Sequence, residues 1–129
     1  EKEKKKSWPN LKVKYVEQIQ PLGLAHVVKI AQPLIGQNYF LFYLGDNILA
    51  GGIKKYLEEF KKSLPAAHLL LCRVRDPERF GVAKFNQKGQ IIRLIEKPKR
   101  YVSDFALTGI YFFSPLIFEA VRKIKPSQR

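Results

Sequence analysis

The chain has 129 residues, which is a common size for one domain and short for two. Hydrophobic residues make up 46% of it and aromatic residues 12%, a composition that excludes a disordered tail and allows a buried core. Lysine and arginine number 24 against 11 acidic residues, so the formal net charge is +13 and the surface attracts polyanions. The longest apolar run, at residues 39–44, is far shorter than the ~20 residues that cross a bilayer, and we expect no membrane partner.

The first half of the chain alternates between strand and helix patterns. Its predicted elements are a half-buried strand at 11–18, a turn at 21–23, a helix at 24–35, a strand at 39–44 and an amphipathic helix at 52–63. The strand at 39–44 is apolar at every position, which is typical of a strand covered on both faces. Pro33 should end or kink the first helix because it lacks an N–H and its ring clashes with the preceding turn.

The second half contains more strands than helices. Its predicted elements are a strand at 67–74, a turn at 76–79, a hairpin of strands 80–85 and 90–96, a strand at 106–113 and a helix with Ser114 as N-cap and Pro115 at its first position. Strands separated by helices indicate an α/β fold with a mostly parallel sheet, which the hairpin makes mixed. We expect residues 1–129 to form a single domain.

Ligands of open α/β sheets gather at the carboxyl ends of the strands, and three segments of this chain follow strands. The first, 18–25, brings Gly23 to a helix N-terminus, where backbone can approach a charged group closely, although a plain strand–helix turn has the same pattern. The second, 44–47, carries Asp46, whose carboxylate suits Mg²⁺ or, equally, caps a turn. In the third, 95–98, Glu96 and Lys97 leave the strand on opposite faces and can meet a sugar hydroxyl and a phosphate, or form an exposed ion pair.

The lone cysteine and the two histidines give weaker signals. Cys72 lies in an apolar run and is expected to be a core thiol, and a single cysteine is consistent with a reducing, cytoplasmic location. His26 and His68 lack the spacing of metal ligands, so we expect no metal site from them.

Five short motifs follow one another in a distinctive order: GLAHVV from Gly23, LGDN from Leu44, FGV from Phe80, EKP from Glu96 and TGIYFF from Thr108. This order and spacing resemble the sugar-1-phosphate nucleotidyltransferase family, most of all its glucose-1-phosphate thymidylyltransferase branch. The resemblance implies a Rossmann-like three-layer α/β fold with a mixed sheet. It also implies transfer of a nucleotidyl group from dTTP or UTP to a sugar 1-phosphate, with Mg²⁺ as cofactor and pyrophosphate as product.

The resemblance also implies roles for individual residues. Asp46 corresponds to a catalytic ligand of Mg²⁺, and Lys97 to a catalytic lysine that meets the sugar phosphate. The implied nucleotide contacts are Gln18, Pro21, Gly23, Leu24 and Gly45. The implied sugar-phosphate contacts are Gly81, Glu96, Lys97, Thr108 and Gly109.

The sequence departs from the family pattern at both ends. It has no first strand with a glycine-rich GxGTRL-type loop, and no second metal-binding aspartate in a GELEITD-like segment. We therefore expect a partial nucleotidyltransferase domain with little or no turnover by itself. Strand edges left unpaired by a missing central strand should favour a homo-oligomer.

Two other functions stay open. A nucleotidyltransferase-like domain can serve regulation or assembly without catalysis, although the presence of Asp46, Glu96 and Lys97 argues mildly against this. A nucleic-acid-binding module would suit the positive charge and aromatic residues such as Tyr101 and Tyr111. Those aromatics lie in or beside predicted buried strands, so nucleic acid is the less favoured partner.

Overall fold

The computed structural model describes residues 11–124. Its elements are α1 (Leu24–Ile35), β1 (Phe40–Tyr43), α2 (Lys54–Ser63), β2 (Ala67–Arg73), β3 (Gly81–Phe85), β4 (Ile91–Glu96), β5 (Phe105–Phe113) and α3 (Ile117–Lys123), with a 3₁₀ turn at Pro77–Arg79. Seven of these elements lie where the sequence predicts them, to within two residues at each end, and α3 begins slightly later. The α/β class is confirmed.

The five strands form one sheet with β5 at its centre. Phe113 pairs with Phe40 of β1 and with Ala67 of β2, so these two strands lie on opposite sides of β5. At the other end of β5, Ala106 pairs with Cys72 of β2 and with Val82 of β3. Strands β1 and β3 therefore share one side of β5, and β4 extends the sheet beyond β3.

The prediction of mostly parallel strand pairs is wrong: every pair within residues 11–124 is antiparallel. Strands β1 and β2 do run in the same direction, as the strand–helix–strand pattern indicates, since both are antiparallel to β5. They are not neighbours because β5, which comes much later in the chain, lies between them. The local pattern gives the direction of each strand but not its neighbour.

Helices cover both faces of the sheet and give three layers. On one face, Phe60 of α2 packs against Leu70 of β2 and Phe112 of β5. On the other face, α1 and α3 form a second core in which the Phe118 ring stacks on Phe40 with centroids 5.6 Å apart. Alternate residues of β5 therefore stabilise opposite helical layers.

Residues 11–18 do not form the predicted strand. Their side chains are exposed or half-buried, and Tyr15 is 93% exposed. An alternating pattern makes a strand only where a sheet edge supplies hydrogen bonds, and this segment pairs with no strand in the described part of the chain.

Three smaller predictions also need correction. Strand β1 is not covered on both faces, because Leu41 and Tyr43 are exposed. Helix α1 continues through Pro33 to Ile35 instead of ending there. Helix α3 begins at Ile117 with Leu116 as N-cap, since the residues after Ser114 first form a 3₁₀-like turn of i→i−3 hydrogen bonds, and the Ser114 hydroxyl accepts from the Leu116 N–H.

Candidate functional site

A cavity of about 610 Å³ lies over the middle of β5. The loop after β1, the start of β3 and the ends of β2 and β4 surround it. Six of the site residues predicted from the sequence line it: Leu24, Asp46, Gly81, Glu96, Thr108 and Gly109. Residues far apart in sequence thus meet in one concave site of the size that small-molecule ligands occupy.

Gly109 fixes how the loop after β1 crosses β5. Its φ of 77° is in the left-handed region, and its carbonyl accepts a hydrogen bond of 3.0 Å from the Leu44 N–H. A Cβ at this position would lie 2.5 Å from Leu44 Cδ1 and 3.2 Å from Asn47 Nδ2. Only glycine therefore lets the LGDN loop lie directly on the strand.

The same loop orients the Asp46 carboxylate. The Asn47 amide donates to Asp46 Oδ1 at 3.2 Å and to the Leu44 carbonyl at 3.4 Å, and the Tyr43 hydroxyl donates to the Asn47 carbonyl at 3.3 Å. Asn47 also lines the cavity. Asn47 is not among the site residues predicted from the sequence, although it is part of the LGDN motif and directly follows Asp46.

Asp46 offers a single carboxylate to a metal ion, which limits the kind of metal site that it can form. Within residues 11–124, no group of three or more His, Cys, Asp or Glu side chains could enclose an ion. Mg²⁺ commonly binds through one or two carboxylates while waters and substrate phosphates supply its other ligands. A single exposed carboxylate therefore fits Mg²⁺ that arrives with phosphates and does not fit a resident structural ion.

Glu96 lies against the backbone of Gly81, its partner in the β3–β4 register. A Cβ at Gly81 would be 3.1 Å from Glu96 Oε2 and 3.1 Å from Leu107 Cδ1. The absence of a side chain at residue 81 therefore leaves the space into which the carboxylate extends.

Lys97 does not line the cavity, although Glu96 beside it does. Its side chain is exposed, its φ of 41° is left-handed, and its N–H donates to the Phe80 carbonyl at 2.9 Å. The backbone turns sharply at this residue, which separates the directions of Glu96 and Lys97.

Tyr111 lines the cavity but is not among the site residues predicted from the sequence, where it was weighed as a nucleic-acid contact and as a core aromatic residue. Its ring stacks on Phe42 with centroids 6.1 Å apart. Burial raises the pKa of the Tyr111 hydroxyl above 10.0, a hydrogen bond with the Gly109 backbone opposes this, and the Glu96 charge raises it further. The hydroxyl is therefore protonated at neutral pH and can donate to a ligand.

The Thr108 hydroxyl is already used within the protein. It donates to the Leu70 carbonyl at 2.8 Å, where an irregularity in β2 interrupts the pairing with β5, and it accepts from the Ile110 N–H at 3.3 Å. Thr108 borders the cavity, but its hydroxyl stabilises the sheet.

Four predicted nucleotide contacts do not line the cavity: Gln18, Pro21, Gly23 and Gly45. The Gln18 amide lies 3.3 Å from the Gly23 carbonyl, to which it donates, and 3.0 Å from His26 Nδ1. These contacts hold the turn before α1, whose first residue, Leu24, reaches the cavity. Gln18 therefore stabilises this turn.

Two expectations about burial are wrong. Cys72 is exposed because it lines the cavity near the end of β2. Nothing in its apolar sequence context gave this signal. Tyr101, expected beside the core, is 73% exposed.

No helix within residues 11–124 is long and apolar enough to cross a membrane.

The family model described as "Nucleotidyl transferase" matches residues 1–129. The chain belongs to this nucleotidyl transferase family. The membership inferred from the five motifs is thereby confirmed.

Relatives within the family are similar over most of this chain. The glucose-1-phosphate thymidylyltransferase of Streptomyces griseus is 49% identical over 119 residues, which cover 92% of this chain and 34% of that protein. The low-salt glycan biosynthesis nucleotidyltransferase Agl11 of Haloferax volcanii is 39% identical over 119 residues, covering 92% of this chain and 33% of that protein. The chain spans about a third of the length of these relatives.

A solved structure of apo UDP-glucose pyrophosphorylase has a similar fold. It superposes with a TM-score of 0.77 at 26% sequence identity and covers 89% of this chain and 46% of that one.

Proposed function

We propose that this chain supplies part of the substrate site of a sugar-1-phosphate nucleotidyltransferase that uses dTTP or UTP and glucose 1-phosphate. The observation that carries the proposal is the cavity of about 610 Å³, where Asp46 and Glu96 meet over two glycines of adjacent strands. Relatives named for glucose-1-phosphate thymidylyl transfer support the same substrates. The single cysteine supports a reducing, cytoplasmic location.

The proposed reaction is an in-line displacement at phosphorus. An oxygen of the sugar 1-phosphate attacks the α-phosphorus of the nucleoside triphosphate, and the bond from this phosphorus to the oxygen that bridges to the β-phosphate breaks. Pyrophosphate leaves with that electron pair. The attacking oxygen is already ionised near pH 7, so no side chain needs to remove a proton. Positioning and charge neutralisation then supply most of the catalysis.

The cavity residues have distinct roles in this proposal. Glu96 accepts hydrogen bonds from sugar hydroxyls, since its carboxylate extends over Gly81. The backbone of Gly81 lies against the sugar, and Gly109 fixes the loop that carries Asp46 beside it. The protonated Tyr111 hydroxyl donates to a sugar or phosphate oxygen.

The charged groups at the edge of the cavity complete the proposal. The exposed Lys97 side chain turns inward to meet the sugar phosphate, and Asp46 helps to hold Mg²⁺ with phosphate oxygens. Mg²⁺, when bound, neutralises phosphate charge. Gln18 and Gly23 lie just before Leu24 in the chain, and Leu24 lines the cavity. In this proposal the nucleobase binds at that end of the site.

Calorimetric titration tests this function. Glucose 1-phosphate should bind at one site, and Glu96→Gln should weaken it about tenfold or more, because a charged acceptor of sugar hydroxyls is lost. Glu119→Gln, which removes an exposed carboxylate from α3, is the matched control and should leave the affinity unchanged. Equal affinities for both variants would contradict the proposal.

Titration with dTTP and UTP, with and without Mg²⁺, tests the nucleotide half of the site. Binding that strengthens with Mg²⁺ and loses this dependence in Asp46→Asn is the expected result. We expect little pyrophosphate release from the chain alone. The decisive case is a chain that binds both substrates but releases no pyrophosphate, even when the remaining segments of a full-length relative are added. That result would favour the non-catalytic alternative.

A further inference from the structure

A second cavity, of about 390 Å³, lies between the loop after β2 and the loop before β5. It shares no lining residue with the cavity over β5. We call it the basic cleft and define it by the residues that carry its chemistry: Arg75, Glu78, Lys99, Arg100, Tyr101 and Asp104.

The walls of the basic cleft are held in place by the backbone. The Val74 N–H donates to the Asp104 carbonyl at 2.9 Å, and the Lys97 N–H donates to the Phe80 carbonyl at 2.9 Å. Pro77 and Pro98, one from each loop, are buried and also line the cleft. These backbone hydrogen bonds and buried prolines thus hold the two loops together.

Three of the cations at the cleft have no ion-pair partner within the described residues. Arg75, Lys99 and Arg100 form no ion pair there; the pairs found join Lys61 to Glu58 and Arg79 to Asp76. Three cations around one concave space favour an anion that several of them can contact together.

Tyr101 gives the cleft a flat, exposed surface. Its hydroxyl donates to Asp104 Oδ1 at 3.0 Å, which fixes the ring beside the cations. This hydrogen bond is also the main reason that the pKa of Tyr101 is raised above 10.0. The Asp104 carboxylate is engaged with this hydroxyl, while most of the tyrosine remains accessible. An exposed aromatic face next to cations suits a ring attached to phosphate.

We propose that the basic cleft binds a small phosphorylated ligand of nucleotide size, with its phosphates on Arg75, Lys99 and Arg100 and its ring on Tyr101. The cavity volume lies in the range of small-ligand pockets. A nucleic-acid strand is the weaker occupant, because a cavity of about 390 Å³ has room for one nucleotide and not for several in a row.

The test uses inorganic pyrophosphate and thymidine diphosphate as probes, with calorimetry for affinity and amide NMR for location. Both probes should shift the resonances of residues 75–78 and 99–104 in a saturable way. Lys99→Gln/Arg100→Gln should weaken both probes at this site about tenfold or more. Lys54→Gln/Lys62→Gln, the same charge change on exposed positions of α2, should change them less than about twofold.

Tyr101→Ala tests the contribution of the ring apart from that of the phosphates. It should weaken the binding of thymidine diphosphate at the cleft several-fold and leave the binding of pyrophosphate nearly unchanged. Glu96→Gln and Asp46→Asn should not alter the shifts at 99–104, so that failure of the proposed nucleotidyl transfer and failure of the cleft are told apart. Unchanged amide resonances outside the cleft show that each variant is folded. Arg75→Gln removes the third cation of the cleft and should also weaken both probes there.

Three results would overturn the proposal. One is that both probes shift only residues around the cavity over β5. Another is equal weakening in the α2 control variant, which would mean general charge attraction. The third is that a twelve-nucleotide single strand binds the cleft more tightly than thymidine diphosphate and loses binding in the same variants, which would make it a nucleic-acid surface.

Discussion

The side chain of Leu44 occupies the space that a side chain at Gly109 would need, with Leu44 Cδ1 2.5 Å from the position of that Cβ. Leu44 directly follows β1 and Gly109 lies in the middle of β5, and the hydrogen bond from the Leu44 N–H to the Gly109 carbonyl joins them. This contact sets the position of Asp46, two residues after Leu44, relative to the centre of the sheet.

Gly109→Ala should therefore destabilise the chain by about 2–4 kcal/mol, because left-handed strain and a clash act together. Gly89→Ala is the matched control: its φ of 73° is also left-handed, but a Cβ there would meet no atom within 4 Å. That variant should cost only about 1 kcal/mol. Urea unfolding measures both, and equal losses would show that the Leu44 contact adds nothing.

Gly81→Ala should displace the Glu96 carboxylate with only a small effect on stability, since its Cβ would lie 3.1 Å from Glu96 Oε2 and its φ is not left-handed. Affinity for glucose 1-phosphate should fall several-fold in this variant. In a Glu96→Ala background the same substitution should have little further effect, because the two residues act as a unit. Additive losses in this double-mutant cycle would contradict the steric link.

Thr108→Val should destabilise the chain by about 1–2 kcal/mol, because it leaves the Leu70 carbonyl without its 2.8 Å hydrogen bond. Thr108→Ser retains the hydroxyl and should lose much less. Thermal unfolding gives the stabilities, and titration with glucose 1-phosphate gives the affinity of each folded variant. A large loss of affinity with no change in stability would mean that Thr108 contacts the sugar directly.

The Tyr111 hydroxyl should titrate above pH 10.0, with burial as the largest cause. Glu96→Gln should lower this pKa but not restore the ordinary value, since burial remains. The folded state then binds a proton more tightly than the unfolded state, so this group stabilises the fold below pH 10 and the contribution is lost as pH rises through the folded pKa. Ultraviolet titration of the wild type against Tyr111→Phe isolates the group, and an ordinary pKa would refute the prediction.

Strand β1 should promote self-association. Within the described residues its only strand partner is β5, and Leu41 is exposed beside its other edge. We propose a homo-oligomer and expect sedimentation to show association that increases with concentration. Leu41→Lys should weaken it, whereas Leu116→Lys, at an exposed position outside the strands, should not. A single monomeric species at every concentration would rule this out.

The sequence was informative wherever structure depends on near neighbours. The bounds of α1 follow from its local apolar spacing, and the hairpin of β3 and β4 follows from its turn at 86–89. Parallel neighbours were predicted wrongly because the insertion of β5 between β1 and β2 depends on contacts remote in sequence.

The candidate site was predictable to a similar extent. Asp46, Glu96 and Gly109 were found by motif resemblance, and they do meet in one cavity. The accessibility of Cys72 and the fit of Leu44 against Gly109 depend on how distant segments pack, which no local pattern encodes.

The central place of β5 also bears on how the chain reaches its fold. Phe40 and Ala67 both pair with Phe113, so among the described residues neither β1 nor β2 has a strand partner until β5 has been synthesised. During translation the backbone groups at the edges of β1 and β2 stay unpaired, and contacts of such high sequence separation form slowly. Nascent chains that stop before residue 105 should therefore depend on chaperones, and β1 and β2 should join the sheet only after β5 is made.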